Sequence, residues 1–196
     1  MPRLRALLPA ACLLAAAAGA AADEEGRIHA GAEAALLSIH NLTEVCAEVG
    51  IRHRCDEDGL AGVLSLKVAL ADDVAVELSY LLAKDAYLRQ EDYEGAGAHL
   101  EAEVGYESFG FAVMHRYELS PSLFAFGRAG GHWWKRKIDS NVALIKDHFT
   151  ADGVDLLAGA GLKHATGDLE IEAGYDFLPA GDTRLGLAYV GLSYGF

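Results

Sequence analysis

The chain has 196 residues, of which 52% are hydrophobic, and a formal net charge of −13. That acidity argues against a nucleic-acid partner, which requires a basic footprint. The length suits one domain and is too short for two sizeable ones.

The first 22 residues read as an export signal. Arg3 and Arg5 form a basic start, Ala6 to Ala18 is an apolar run, and Gly19-Ala20-Ala21-Ala22 supplies small residues before Asp23. The run is short of the ~20 residues that a spanning helix needs, and a small-residue stretch closes it. Cleavage is expected after Ala22, with Ala20 and Ala21 as alternatives. Cys12 lies inside the run, with Pro9 three residues before it, which makes a poor lipid-attachment site. Residues 23–196 form the remaining domain. Loss of Arg3 and Arg5 moves its formal charge from −13 to −15.

Beyond the signal, apolar residues occur in short alternating stretches, and Gly is abundant, with 22 in the whole chain. Alternation of this kind, in segments of about ten residues separated by turns, is the pattern of a transmembrane barrel wall. Eight strands follow in chain order. The first spans roughly 27–40. The second, about 60–70, sets Leu64, Leu66, Val68 and Leu70 on one face, with Ser65 and Lys67 on the other. Asp72-Asp73 turns the chain into the third, about 74–83. There Val76, Leu78, Tyr80 and Leu82 oppose Glu77 and Ser79.

The fourth strand, about 107–117, places Phe109, Phe111, Val113 and Tyr117 opposite Gly110, Ala112, Met114 and Arg116. Pro121 rules out continuation as a central strand. The fifth spans about 123–135 and the sixth about 154–164, closed by the turn Thr166-Gly167-Asp168. In the seventh, Leu169, Ile171, Ala173, Tyr175 and Phe177 alternate with Glu170, Glu172, Gly174 and Asp176. Three acidic groups on one face cannot point into hydrocarbon, so they face a polar lumen or water. The eighth runs from Thr183 to Phe196. Its large apolar groups Val190, Leu192, Tyr194 and Phe196 share one face.

Connections after strands two, four and six are short. Those after one, three and five are long, covering 41–59, 84–106 and 136–153. An even-stranded outer-membrane barrel has short periplasmic turns and longer outer loops. The predicted fold is therefore all-β, an eight-stranded antiparallel up-and-down transmembrane barrel in the outer membrane of a Gram-negative bacterium. Eight strands leave an interior that side chains nearly fill. The expected lumen charges are Lys67, Glu77, Arg116, Arg128, Glu170, Glu172 and Asp176, paired or hydrated.

Several segments resemble the OmpA-like family of small outer-membrane β-barrels. Gly127-Arg128-Ala129-Gly130-Gly131-His132-Trp133-Trp134-Lys135-Arg136 is similar to the fifth strand of that membrane domain, whose Arg points inward. Ala75-Val76-Glu77-Leu78-Ser79-Tyr80 is similar to its third strand. The size is closer to the short OmpX- and Ail-type members. Gly191, Tyr194 and Phe196 match the closing-strand signal of such barrels. The resemblance implies that the barrel-assembly machinery reads them, with periplasmic chaperones as transient partners. The family's narrow pore is gated by switching ion pairs. Two of its members are missing here, where Met114 and Gly174 stand in place of a Lys and a Glu. No peptidoglycan-binding domain is expected after Phe196.

Cys46 and Cys55 fall in the first outer loop, and an oxidising compartment favours a disulfide between them. A metal site there lacks ligands, since His53 alone does not complete one. Trp133 and Trp134, with Tyr106, Tyr117 and Tyr175, read as an interfacial aromatic girdle. Lys135, Arg136 and Lys137 form the densest basic cluster, at the outer end of strand five, and suit lipopolysaccharide phosphates. Arg52-His53-Arg54 is a second basic group, and Asp56-Glu57-Asp58 reads as a solvated acidic run. The nearest Ser/Thr–His pairing, His164-Ala165-Thr166, lies at a periplasmic turn, the wrong place for a lipid A deacylase. The expected protein is a monomer without enzymatic activity or cofactor. It meets lipopolysaccharide or external ligands through its outer loops, or serves as a narrow channel.

Overall fold

The computed structural model describes residues 27–39, 58–93, 98–142 and 145–196. Eight strands close into one barrel in sequence order: β1 Ile28–Ile39, β2 Asp58–Ala69, β3 Val74–Tyr93, β4 Ala98–Ser120, β5 Leu123–Val142, β6 Ile145–Thr166, β7 Leu169–Ala180 and β8 Thr183–Gly195. Every neighbour pair is antiparallel, and β8 returns to β1 through a ladder from His29↔Gly195 to Ile39↔Leu185. Closure leaves the wall no free edge where all eight strands run together, as a lipid environment demands.

The alternation fixes the two faces. Phe109, Phe111, Val113, Ile171, Tyr175, Val190, Leu192 and Tyr194 are exposed on the outside, where lipid takes the place of water. Ser65, Lys67, Glu77, Arg128, Glu170, Glu172 and Asp176 are buried on the inside. A one-residue slip in any ladder would turn these charges into lipid, so the pattern also fixes the register. Gly167 and Gly181 each open a two-residue connection at positive φ, 60° and 64°.

The long connections after strands three and five differ from expectation. β3 and β4 continue as a hairpin to Tyr93 and Ala98, and β5 and β6 continue to Val142 and Ile145. Register shifts interrupt the first hairpin between Ala83 and Ala86 and between Gln90 and Tyr93. Beyond the lipid-facing band neither side of a strand needs to be apolar, so alternation fades while backbone pairing persists. β3 to β6 thus rise as a four-stranded sheet above the tip of the β7–β8 hairpin. The connection after β1 lies outside the described residues, as do the expected export signal, the Cys46–Cys55 pair and Arg52 to Glu57.

The opposite end is stitched by backbone hydrogen bonds between neighbouring turns. Arg116 N–H donates to Asp73 O at 2.9 Å, Ala165 N–H to Ser122 O at 2.9 Å, and Gly195 N–H to Asp168 O at 2.8 Å. The Arg27–Asp168 ion pair lies at this end too.

Candidate functional site

The lumen is a column of ion pairs. Lys67 on β2 bonds Glu172 across the barrel and lies 3.8 Å from Glu77 on β3. Glu77 accepts from Arg128 Nη1 at 2.5 Å. Arg128 on β5 grips Asp176 on β7 with two nitrogens, its Nε at 2.8 Å from Oδ1. The guanidinium also lies 4.9 Å from the centre of the Tyr189 ring. A second group holds the periplasmic side, where Glu170 accepts from Lys163 Nζ at 2.8 Å and from Ser193 Oγ at 3.0 Å. Charges this deep are tolerated because each meets an opposite charge in hydrogen-bonding geometry.

Local sequence makes these meetings possible. Arg128 and Asp176 both pair with Gly159 of the intervening β6. A Cβ at Gly159 would lie 1.8 Å from Asp176 Oδ1, so only glycine lets the two side chains join over that strand.

Of the expected lumen charges, Lys67, Glu77, Arg128, Glu170, Glu172 and Asp176 are buried inside. Arg116 stands on the same inward face as Ala112 and Met114, half-buried at the periplasmic mouth, where it lines a cavity with Lys67 and Glu170, donates to the Asp72 carbonyl and lies 5.2 Å from the Phe124 ring centre. Sequence reasoning missed Glu33, Lys163 and His132, all buried. Each stands at an inward position of a strand whose faces the alternation does not sort. For Lys163 the signal was its place beside acidic β7, since it pairs in register with Glu172. Both Glu33 carboxylate oxygens lack a protein hydrogen-bond partner, as do Ser65 Oγ and Tyr189 OH. Buried polar atoms of this kind are commonly met by water.

The outer mouth is built from β4, β5 and β6. His132 Nε2–H donates to the Pro179 carbonyl at 2.8 Å. Its Nδ1 therefore accepts, from Ser108 Oγ at 2.9 Å and from Tyr106 OH at 3.2 Å. Trp134 Nε1–H and the Gly181 backbone N–H both donate to Asp155 Oδ2, each at 2.8 Å. Arg136 reaches the Thr183 hydroxyl and lies 3.8 Å from Asp182.

Strand parity also divides groups that the sequence reading takes together. Trp133, Tyr117 and Tyr175 face outward as girdle residues, whereas Trp134 and Tyr106 are buried inside the mouth. Lys135, Arg136 and Lys137 do not form one face. Arg136 turns inward, while Lys135 and Lys137 share the outer face with Trp133. Lys137 Nζ lies 3.2 Å from Glu107. Lys135 pairs in register with Glu107 and Asp152. His164 and Thr166 lie 3.2 Å apart on the exposed periplasmic end, as their position in the sequence implied. Among the described residues no group of three or more His, Cys, Asp or Glu could hold a metal ion.

At the seam, Tyr194 and Phe196 lie on the outer surface with their rings edge to face, 5.3 Å apart. Phe196 N–H donates to Ile28 O at 2.9 Å. Gly191 lies between Glu33 and Glu172 in register.

No protein of the curated collections matches the sequence significantly. Solved structures do. Ail of Yersinia pestis, solved in complex with the heparin analogue sucrose octasulfate, aligns over 88% of this chain and 99% of its own, with TM-score 0.59 at 16% identity. Neisserial surface protein A aligns over 88% and 100%, with TM-score 0.60 at 14% identity. The N-terminal β-barrel domain of Pseudomonas aeruginosa OprF aligns over 88% and 98%, with TM-score 0.55 at 17% identity. At such identities the likeness is one of fold. The family model described as "Outer membrane protein beta-barrel domain" matches residues 8–196. The chain belongs to this outer-membrane β-barrel family.

Proposed function

We propose that this chain is a non-enzymatic outer-membrane barrel that works at its outer face, contacting lipopolysaccharide or external ligands. The observation that carries this reading is the filled lumen. The ion-pair column Glu172–Lys67–Glu77–Arg128–Asp176 occupies the barrel where an open pore would run. What remains for recognition is the sheet of β3 to β6 above the rim and the connection after β1. The complex of Ail with a sulfated sugar analogue supports the idea that a barrel of this shape can serve as a recognition surface. For lipopolysaccharide, Lys135 and Lys137 sit just above Trp133, at the level where lipid phosphates would lie.

The second reading is a narrow channel. It is favoured by two small cavities, one on each side of the Lys67–Glu77 pair. The periplasmic one is lined by His29, Met114 and Lys163, and the outer one by Ser108, His132 and Leu187.

Planar-bilayer recording of the purified, refolded protein separates the two readings. The surface-recognition reading expects no unitary conductance steps in high salt. Regular steps would overturn it in favour of the channel.

A further inference from the structure

The ion-pair column does not run the length of the lumen. On five consecutive strands of the wall, β7, β8, β1, β2 and β3, the inward positions change from polar to apolar in the same direction. Towards the outer mouth, Glu33 on β1 gives way to Ala35, Leu37 and Ile39. Lys67 and Ser65 on β2 give way to Val63 and Ala61, and Glu77 on β3 to Leu81 and Ala83. Asp176 on β7 gives way to Leu178 and Ala180, and Ser193 on β8, past Tyr189, to Leu187 and Leu185. All of these side chains are buried.

The registers gather the apolar groups into one cluster. Leu37 pairs with Leu187, Ile39 and Leu178 both pair with Leu185, and Val63 pairs with Leu81. From β6, Leu157 leans over β5, so that a Cβ at Gly110 of β4 would lie 3.3 Å from its Cδ2. On the β4–β5 side the cluster is completed by buried Tyr106 and Trp134 and by His132, whose ring nitrogens are both engaged. The outer cavity marks the boundary between the two zones. Glu77, Arg128 and Asp176 of the column line it together with Val63, Leu178 and Leu187.

We propose that this cluster is an apolar plug in the outer part of the lumen, a second barrier in series with the ion-pair column, so that lumen water communicates with the periplasm alone. An ion in such a layer gives up its hydration without gaining a polar partner, and space lined by aliphatic side chains stays dry. The column is the wetter zone. Unpartnered oxygens of Glu33, Ser65 and Glu172 offer places for water there, and the periplasmic cavity reaches Lys67. The plug rests on the reading of the lumen as closed, and it locates the closure outside the column.

Two measurements on the protein refolded in lipid test it. A single cysteine, cyanylated in the unfolded chain before refolding, carries a nitrile whose infrared frequency reports contact with water. In a background of Cys12→Ser, Cys46→Ser and Cys55→Ser, the nitrile at Leu187→Cys is expected at its dry, apolar frequency. The nitrile at Ser65→Cys is expected to be shifted to its water-bonded frequency. A water-bonded nitrile at position 187 would overturn the plug, and a dry one at position 65 would overturn the access of water from the periplasm. Planar-bilayer recording is the second measurement. Lys67→Met with Glu172→Gln breaks the column and is expected to show no unitary steps. Adding Leu178→Ser and Leu187→Ser, in a variant that keeps the heat-dependent gel shift, is expected to open them. Silence of that folded variant would overturn the plug. Steps in the column variant alone, from a barrel that is closed when unaltered, would overturn the plug and spare the surface-recognition reading. Steps in the unaltered barrel would remove both.

Discussion

Arg128 on β5 and Asp176 on β7 meet over Gly159, across a whole intervening strand, and their paired nitrogens and oxygens form the strongest joint in the lumen. The joint sits among residues that are nearly all buried. Breaking one partner of a buried pair leaves an uncompensated charge, at a cost of about 3–5 kcal/mol. Arg128→Met strands two carboxylates, Glu77 and Asp176, and a loss of that order is expected. Gly159→Ala should also destabilise, because the added methyl displaces the Asp176 carboxylate. Urea unfolding followed by the heat-dependent gel shift measures both. A loss below about 1 kcal/mol for Arg128→Met, the range of an exposed pair, would show that the joint is solvated.

How much of this was legible from the sequence depends on what each face of a strand must satisfy. β7 declared itself because lipid forbids charge on one face, so Glu170, Glu172 and Asp176 had to point inward. The same constraint sorted Phe109 to Tyr117 on β4. Glu33, Lys163 and His132 escaped because single polar residues in Gly- and Ala-rich strands give no strong alternation. Arg136 and Trp134 were misplaced by reading neighbours as a cluster. Adjacent residues on a strand face opposite ways, so Trp133 and Trp134 could never have shared a face. The outer arms of β3 to β6 were invisible as strands because beyond the lipid-facing band neither face has to be apolar. Pairing there is set by backbone bonds, which leave no hydrophobic trace.

The two tryptophans should therefore report different surroundings. They are the only two in the chain. Trp134→Phe leaves Trp133, which faces lipid, so its emission should be strongly quenched by brominated lipid. Trp133→Phe leaves the buried Trp134, whose emission should resist the same quencher. Equal quenching of both variants in lipid vesicles would contradict the division of the pair between the two faces.

The basic cluster divides in the same way. Lys135→Ala with Lys137→Ala should weaken lipopolysaccharide binding, by about five-fold per lysine if each contributes ~1 kcal/mol at a charged lipid surface. Arg136→Ala should leave that affinity unchanged, because its guanidinium points to Thr183 and Asp182. Its effect should be loosening of the β7–β8 tip. Titration of each variant with purified lipopolysaccharide, read by Trp133 emission, distinguishes these roles. An Arg136→Ala loss as large as that of the two lysine variants would restore the three residues as one clamp.

The closing strand separates a folding role from a recognition role. Phe196 contributes its backbone N–H to Ile28 O, and a ring that packs against Tyr194 on the outer surface. Phe196→Ala keeps the backbone bond and removes only the ring. The variant should therefore refold in detergent with nearly unaltered stability, losing no more than one lipid-facing side-chain contact. In cells, where the assembly machinery is expected to read the terminal aromatic, the heat-modifiable form in the outer membrane should fall several-fold. The comparison is informative because both measurements use the same gel shift. A variant that assembles normally in cells would remove Phe196 from recognition. One that fails equally in detergent would make the ring a structural part of the β1–β8 seam.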